Sequence, residues 1–229
     1  MRDTPEQPGG GPAGPPPPQQ PDQRQPILNL PPATAMVGAV LVGVHVLRQF
    51  LDIDSDNSLI LTFGVFPANW VGGPGLTDLL SLLSHMLLHG SWLHLGFNLA
   101  ALLAFGAGVE RMLGARRMLI ALALGGIGGA VLHLAIYFGD AVPVVGASGG
   151  ISALFGLTMF AMAMRTGGWR RLASVTAIWL GLNLAFGLIG VPGDATTSIA
   201  WVAHMGGYFA GLAYGFWLMR RAMRGSPPG

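Results

Sequence analysis

Residues 118–138 read MLIALALGGIGGAVLHLAIYF, an apolar run without a single charge, with Arg116 and Arg117 just before it and Asp140 just after it. An α-helix rises about 1.5 Å per residue and the hydrocarbon core of a bilayer is about 30 Å thick, so about 20 such residues cross it. This run is long enough. The glycines inside it let a neighbouring helix backbone come close, as membrane helices require. Working outward, comparable apolar runs occupy residues 33–51, 92–109, 147–164, 172–190 and 199–219. Six spans use nearly all of the chain after its first 32 residues.

Composition agrees. The 229 residues are 52% hydrophobic and 10% charged, with mean hydropathy +0.56, whereas soluble domains carry about 25% charged residues. All twelve basic residues are Arg, and nine of them sit in short segments between or after the apolar runs. They form no basic stripe interleaved with aromatics, which excludes nucleic acid as the expected partner. The absence of cysteine excludes disulfides, thiolate nucleophiles and thiolate metal sites.

Charge also predicts orientation. Arg111, Arg116 and Arg117 follow the second run, Arg165, Arg170 and Arg171 the fourth, and Arg220, Arg221 and Arg224 the sixth. The opposite side carries Asp52, Asp54, Asp56, Asp78, Asp140 and Asp194, with Arg48 the only basic residue nearby. The positive-inside rule then puts both termini in the cytoplasm. Residues 1–32, with the Pro15–Pro18 run, lack a signal-peptide core and cannot bury enough apolar area to order themselves. They read as a disordered cytoplasmic tail, in the first place a plain solubilising extension and only second a polyproline helix offered to a partner. A membrane domain over 33–220 and a short cytoplasmic tail over 221–229 complete the division. The connection over 52–91 is too long for a simple loop and predicts a partly helical lobe half-submerged in the outer interface.

Polar side chains inside apolar runs are costly, so each is a functional candidate: His45, His94, Asn98, His133, Ser148, Ser152, Asn183 and His204. With the amino terminus inside, the second, fourth and sixth runs all start at the outer face. His94, Asn98, Ser148 and His204 therefore occur at a similar depth near that face. Ser148 lies in Gly146-Ala147-Ser148-Gly149-Gly150 after Pro143, a sequence that predicts an extended descent and a helix starting below the surface. Such backbone is tolerated at depth only where it lines a polar cavity or is covered by protein. Alone, Ser148 reads better as a helix N-cap than as a nucleophile beside helix-terminal N–H groups.

His204 changes that balance. Gly207, Gly211 and Gly215 make a smooth face on the sixth run, and Ser148, Ser152 and Gly156 are expected to make the matching face on the fourth. Packing the two brings Ser148 and His204 within hydrogen-bond reach, a nucleophile and its base. His94 and Asn98, four apart on one helix face, suit donors to an oxyanion together with the Ser148 backbone N–H. His85, His89 and His94 raise a metal reading, but no Glu stands between the first two, and bracing the lobe is the expected role of His85 and His89. His45 and His133 read as packing residues. No carboxylate lies at the right depth, so a dyad is expected rather than a triad.

The series His85-x-x-x-His89-x-x-x-x-His94-x-x-x-Asn98, Gly146-x-Ser148-Gly149 and His204-x-x-Gly207-x-x-x-Gly211 resembles the rhomboid protease family, as does Gly106-x-x-x-Glu110-x-x-x-Gly114. The resemblance implies an all-α, six-transmembrane-helix bundle in the bacterial inner membrane that cleaves transmembrane segments of other proteins near the outer face, without cofactor or metal. It implies Ser148 as nucleophile, His204 as general base and acid, and His94 and Asn98 as oxyanion donors. Two departures stand out: Leu80 and Ser81 occupy the place of the family's Trp-Arg pair, and Ser152 that of an aromatic packing on the histidine. A non-catalytic binder of membrane helices and a transporter are the competing classes; the serine with the histidine argues against the first, the clustering at one face against the second.

Overall fold

Why the chain starts its first helix where it does follows from Pro32, whose fixed φ suits the first helical turn. In the computed structural model, which describes residues 30–166, 168–189 and 201–225, α1 (Pro32–Arg48) has no side-chain cap of its own. Its open N–H groups are satisfied from another helix. Glu110 accepts from the N–H of Ala33 at 3.0 Å, the N–H of Thr34 at 2.7 Å and the Thr34 hydroxyl at 2.7 Å. A carboxylate at a helix N-terminus also meets the positive end of its dipole.

The lobe over 52–91 is partly helical, as expected. It contains α2 (Ile53–Phe63), a 3₁₀ turn at Pro67–Trp70, α3 (Leu76–Ser84) and a second 3₁₀ turn at His85–Leu87. Asp52 caps α2 by accepting from the Ser55 N–H at 2.9 Å, and this bond, with that of the Ser55 hydroxyl, holds its carboxyl below the ordinary range. The anchoring that the missing Trp-Arg pair left open comes from the end of α1. Arg48 makes a two-pronged pair with Asp56, 2.7 and 2.9 Å, and donates to the His89 carbonyl at 2.7 Å. One guanidinium thus ties α1, α2 and the last turn of the lobe, a fork geometry that Lys does not reproduce.

α4 (Trp92–Ala101) continues through a π turn at Leu102–Gly106 into α5 (Ala107–Leu113), and after Gly114 comes α6 (Ala115–Ile136). α7 (Ser148–Thr166), α8 (Gly168–Ile189) and α9 (Trp201–Gly225) complete the bundle. The described residues contain no strand, only an isolated antiparallel bridge between Val65 and Val144. The expected all-α bundle is therefore found. The tail before Leu30, Asp194, the start of the sixth run at Ile199 and residues 226–229 lie outside the described residues.

α6, α7 and α9 pack most extensively on one another, with α8 at their edge against α7 and α9. The α7–α9 seam corrects one expectation. Gly207 meets the backbone of Gly149, and Gly211 that of Ala153, so the α7 face is Gly149-Ala153 rather than Ser148-Ser152. Gly156 keeps its expected place, under the Tyr208 carbonyl. The difference is one helical position. α6 joins the same trio through Gly125, Gly128 and Gly129, where an added methyl would run into Gly149, Ala210 and the Ala203 carbonyl respectively.

The outer surface of the bundle is apolar. Leu47, Phe97, Leu124, Met162, Ile178 and Trp217, one from each long rod, are all exposed, and contiguous apolar surface of that kind is rare on soluble monomers. Helices Trp92–Leu113 and Ala115–Ile136 are long and apolar enough to cross a membrane.

Candidate active site

The approach to Ser148 is a descending stretch of non-helical chain, and its backbone groups are covered by the lobe. The Val65 N–H donates to the Val144 carbonyl at 3.0 Å, the Val144 N–H to the Val65 carbonyl at 2.8 Å, and the Gly146 N–H to the His85 carbonyl at 2.9 Å. Buried backbone groups left unpaired would each cost about 1–3 kcal/mol. Gly146 has φ +124°, a conformation that disfavours any side chain, and an added Cβ would sit 2.8 Å from His94 Cε1 and Nε2. The His94 ring therefore lies against the Gly146 backbone, two residues before Ser148. The first intrahelical bond of α7 runs from the Ile151 N–H to the Ala147 carbonyl at 3.0 Å. The N–H groups of Ser148, Gly149 and Gly150 stand at the open, positive end of the helix.

Ser148 Oγ lies 2.8 Å from His204 Nε2. The side chain of Ser148 is partly exposed while Gly149 and Gly150 beside it are buried. A histidine nitrogen at that distance is placed to take a hydroxyl proton. His204 Nδ1 faces a group that the sequence reading noted without a role: Asn183 Oδ1 of α8, at 3.0 Å. Below them an aromatic cluster joins the three helices. Tyr208 of α9 stacks on Trp179 of α8 with ring centroids 4.5 Å apart, Phe155 of α7 lies 5.8 Å from Tyr208, and the Tyr208 hydroxyl shares a 2.6 Å hydrogen bond with Thr176. Ser152 is buried within α7.

His94 and Asn98 share α4 with their side chains on one side. Asn98 is 4% exposed, and its Nδ2 donates to the His94 carbonyl at 2.9 Å, leaving its second N–H for another acceptor. The structure thus brings Ser148, His204 and His94 together and sets Asn98 one turn deeper behind His94.

His85 and His89 are buried braces. His85 Nδ1 lies 2.8 Å from the Ser81 carbonyl, and the carbonyls of His85 and His89 receive Gly146 and Arg48. Burial pushes the His85 pKa down to about 4, and burial first, then the neighbouring His94 ring, pushes that of His89 to about 3. Both rings are neutral, and it is the backbone carbonyls of the two residues that tie the lobe to α1 and to the descent before Ser148. Among the described residues no group of three or more His, Asp or Glu is arranged to hold a metal ion. His45 packs edge-on against Trp92 at 4.5 Å, and the His133 ring lies tilted against Tyr137 at 4.7 Å.

Sequence comparison adds relatives. Residues 76–221 match the Rhomboid domain. The chain is 32% identical over 193 residues to Rhomboid protease GlpG of Pectobacterium atrosepticum, covering 81% of this chain and 62% of that protein. It is 36% identical over 139 residues to Rhomboid-type serine protease 2 of Emericella nidulans, covering 59% and 26%. With Rhomboid protease GluP of Bacillus subtilis the identity is 33% over 135 residues, covering 58% and 26%. The chain thus spans between 26% and 62% of the length of these relatives. With its all-helical bundle and a domain match over more than half its length, the chain belongs to the rhomboid family.

Proposed function

We propose that this protein is an intramembrane serine endopeptidase that hydrolyses peptide bonds in or near the transmembrane segments of other membrane proteins. The observation that carries the reading is the 2.8 Å contact between Ser148 Oγ and His204 Nε2 at the open end of α7. His204 takes the Ser148 proton as Oγ attacks the scissile carbonyl, then returns it to the departing amine; water repeats the cycle on the acyl-enzyme. His94, Asn98 and the Ser148 backbone N–H stabilise the oxyanion. The mechanism uses no metal and no cofactor. Its test is reconstitution in liposomes with a panel of single-span proteins. Wild type should cut at least one of them into two fragments at a bond near the outer end of its span, at a rate unchanged by strong chelators. Loss of cutting on chelation with recovery on added zinc would move His85, His89 and His94 to the centre of the chemistry.

Six membrane crossings over 33–220, with residues 1–32 and 221–229 in the cytoplasm and the protein in a bacterial inner membrane, complete the reading. The arginines after the second, fourth and sixth runs support that orientation. Arg220 and Arg221 also lie over the Phe216 and Trp217 rings, at 5.0 and 5.3 Å. This pairing suits the headgroup level, where aromatic and basic side chains concentrate. The Pro-rich tail is the segment that offers itself to a cytoplasmic partner. Because the chain has no cysteine, single replacements report sidedness cleanly. A cysteine at Asp78 should react with an impermeant maleimide from outside and one at Arg170 should not; the reverse pattern defeats the orientation.

A further inference from the structure

We infer that Asn183 is the positioning residue of His204, so that the Ser-His pair is completed by an amide from a third helix, α8. The inference deepens the proposed protease function and rests on it. Three contacts carry it. His204 Nε2 meets Ser148 Oγ at 2.8 Å, His204 Nδ1 meets Asn183 Oδ1 at 3.0 Å, and Asn183 Nδ2 donates to the Trp179 carbonyl at 2.9 Å.

The last contact fixes the sense of the other two. A carbonyl oxygen accepts only, so the amide nitrogen of Asn183 must face Trp179 and its oxygen must face the histidine. An oxygen there accepts from an Nδ1–H. The neutral ring then carries its proton on Nδ1 and presents a bare Nε2 to the Ser148 hydroxyl, the tautomer that a general base needs. When Oγ bonds to the substrate carbonyl carbon, the Ser148 O–H bond breaks and its proton goes to Nε2. The imidazolium so formed keeps its Nδ1–H on Asn183 and later gives the Nε2 proton to the leaving amine nitrogen. Asn183 gains and loses no proton. Unlike a carboxylate it adds no charge inside the membrane, where an unpaired one is expensive.

Trp179, one turn before Asn183, stacks on Tyr208, one turn after His204, and Thr176 bonds the Tyr208 hydroxyl. The two residues therefore face each other because their helices are locked one turn deeper. This lock stands where the aromatic expected at Ser152 is absent.

The test reads the tautomer directly. In protein labelled with ¹⁵N-histidine and embedded in lipid, the His204 signals are identified by their loss in His204→Ala. Wild type should show a protonated Nδ1 and an unprotonated Nε2. Asn183→Leu, which keeps the bulk and removes the acceptor, should shift His204 toward the Nε2–H form. It should also lower kcat by about 10- to 100-fold with KM unchanged, the range of one lost hydrogen bond to the base. Asn183→Asp, which restores an acceptor, should recover the Nδ1–H form and most of the turnover. An Nε2–H tautomer in wild type overturns the inference even if no variant folds, and so does wild-type kcat in a folded Asn183→Leu. If Ser148→Ala cut the same substrate at the wild-type rate, the dyad itself would fall, and the inference with it. A Ser148-dependent enzyme indifferent to Asn183→Leu would overturn the inference alone.

Discussion

Ser148→Ala should abolish labelling by a serine-directed fluorophosphonate and reduce proteolysis by on the order of 10⁵- to 10⁶-fold, the scale on which loss of the nucleophile or its base silences serine proteases. The reason lies in the 2.8 Å contact with His204 Nε2. An ordinary serine hydroxyl is a weak nucleophile, and it gains reactivity only where a base receives its proton as the new bond forms. His204→Ala should therefore lose labelling almost as completely, though its hydroxyl is intact. The double variant should be no worse than either single one, because nucleophile and base act as one unit. Gel fluorescence of the labelled protein in detergent, with circular dichroism to show that each variant keeps its helices, makes the measurement. Undiminished labelling of a folded Ser148→Ala would falsify the assignment.

The parts of this site legible in the sequence are those with a local cause. The extended descent to Ser148 was readable from Pro143 and Gly146, because one fixes φ and the other permits a left-handed conformation, and the chain does run extended there with φ +124° at Gly146. What covers that descent was not readable, since the pairing of Val144 with Val65 and of Gly146 with the His85 carbonyl joins residues about 60 to 80 positions apart. The seam between α7 and α9 was right in its helices and wrong in its α7 register. Ser148, Ser152 and Gly156 are small, but so are Gly149 and Ala153, and residue size alone does not choose between adjacent faces of one helix. The third partner, α6, carries its small face at Gly125, Gly128 and Gly129, glycines that look like general membrane composition until the packing pairs them with α7 and α9. Arg48 was legible only as the lone basic residue beside the acidic segments; its role as anchor replaces a motif at a different place in the chain. Asn183 left a usable signal: it is polar within the fifth run, and a run that leaves the inner face near residue 172 reaches the outer half of the membrane by residue 183. Counted from the outer end of that run at residue 190, it lies about 10 Å deep, within about one helical turn of His204 at about 7–8 Å.

The proposed oxyanion donors, His94 and Asn98, give the second large expected effect. His94 lies against the Gly146 backbone two residues before Ser148, and Asn98 stands one turn deeper with one amide N–H committed to the His94 carbonyl at 2.9 Å. That commitment holds the amide in place and leaves its second N–H free of the helix. Negative charge appears on the substrate oxygen only as the tetrahedral intermediate forms, so a donor aimed at it stabilises the transition state more than the bound substrate. Removing one such donor costs on the order of 100- to 1000-fold in turnover, or roughly 2.7 to 4 kcal/mol. Asn98→Ala and His94→Ala should each lower kcat on that scale with little change in KM, and each should retain more activity than Ser148→Ala, since the backbone N–H and the dyad survive. The double variant should lose less than the sum of the two free energies, because both donors act on one charge. His94 has a further tie, its ring lying 5.1 Å from that of His89. Its loss should therefore also lower the melting temperature, while Asn98→Ala should act mainly on turnover. A well-folded Asn98→Ala with raised KM and unchanged kcat would instead place Asn98 in substrate binding and remove it from the catalytic set.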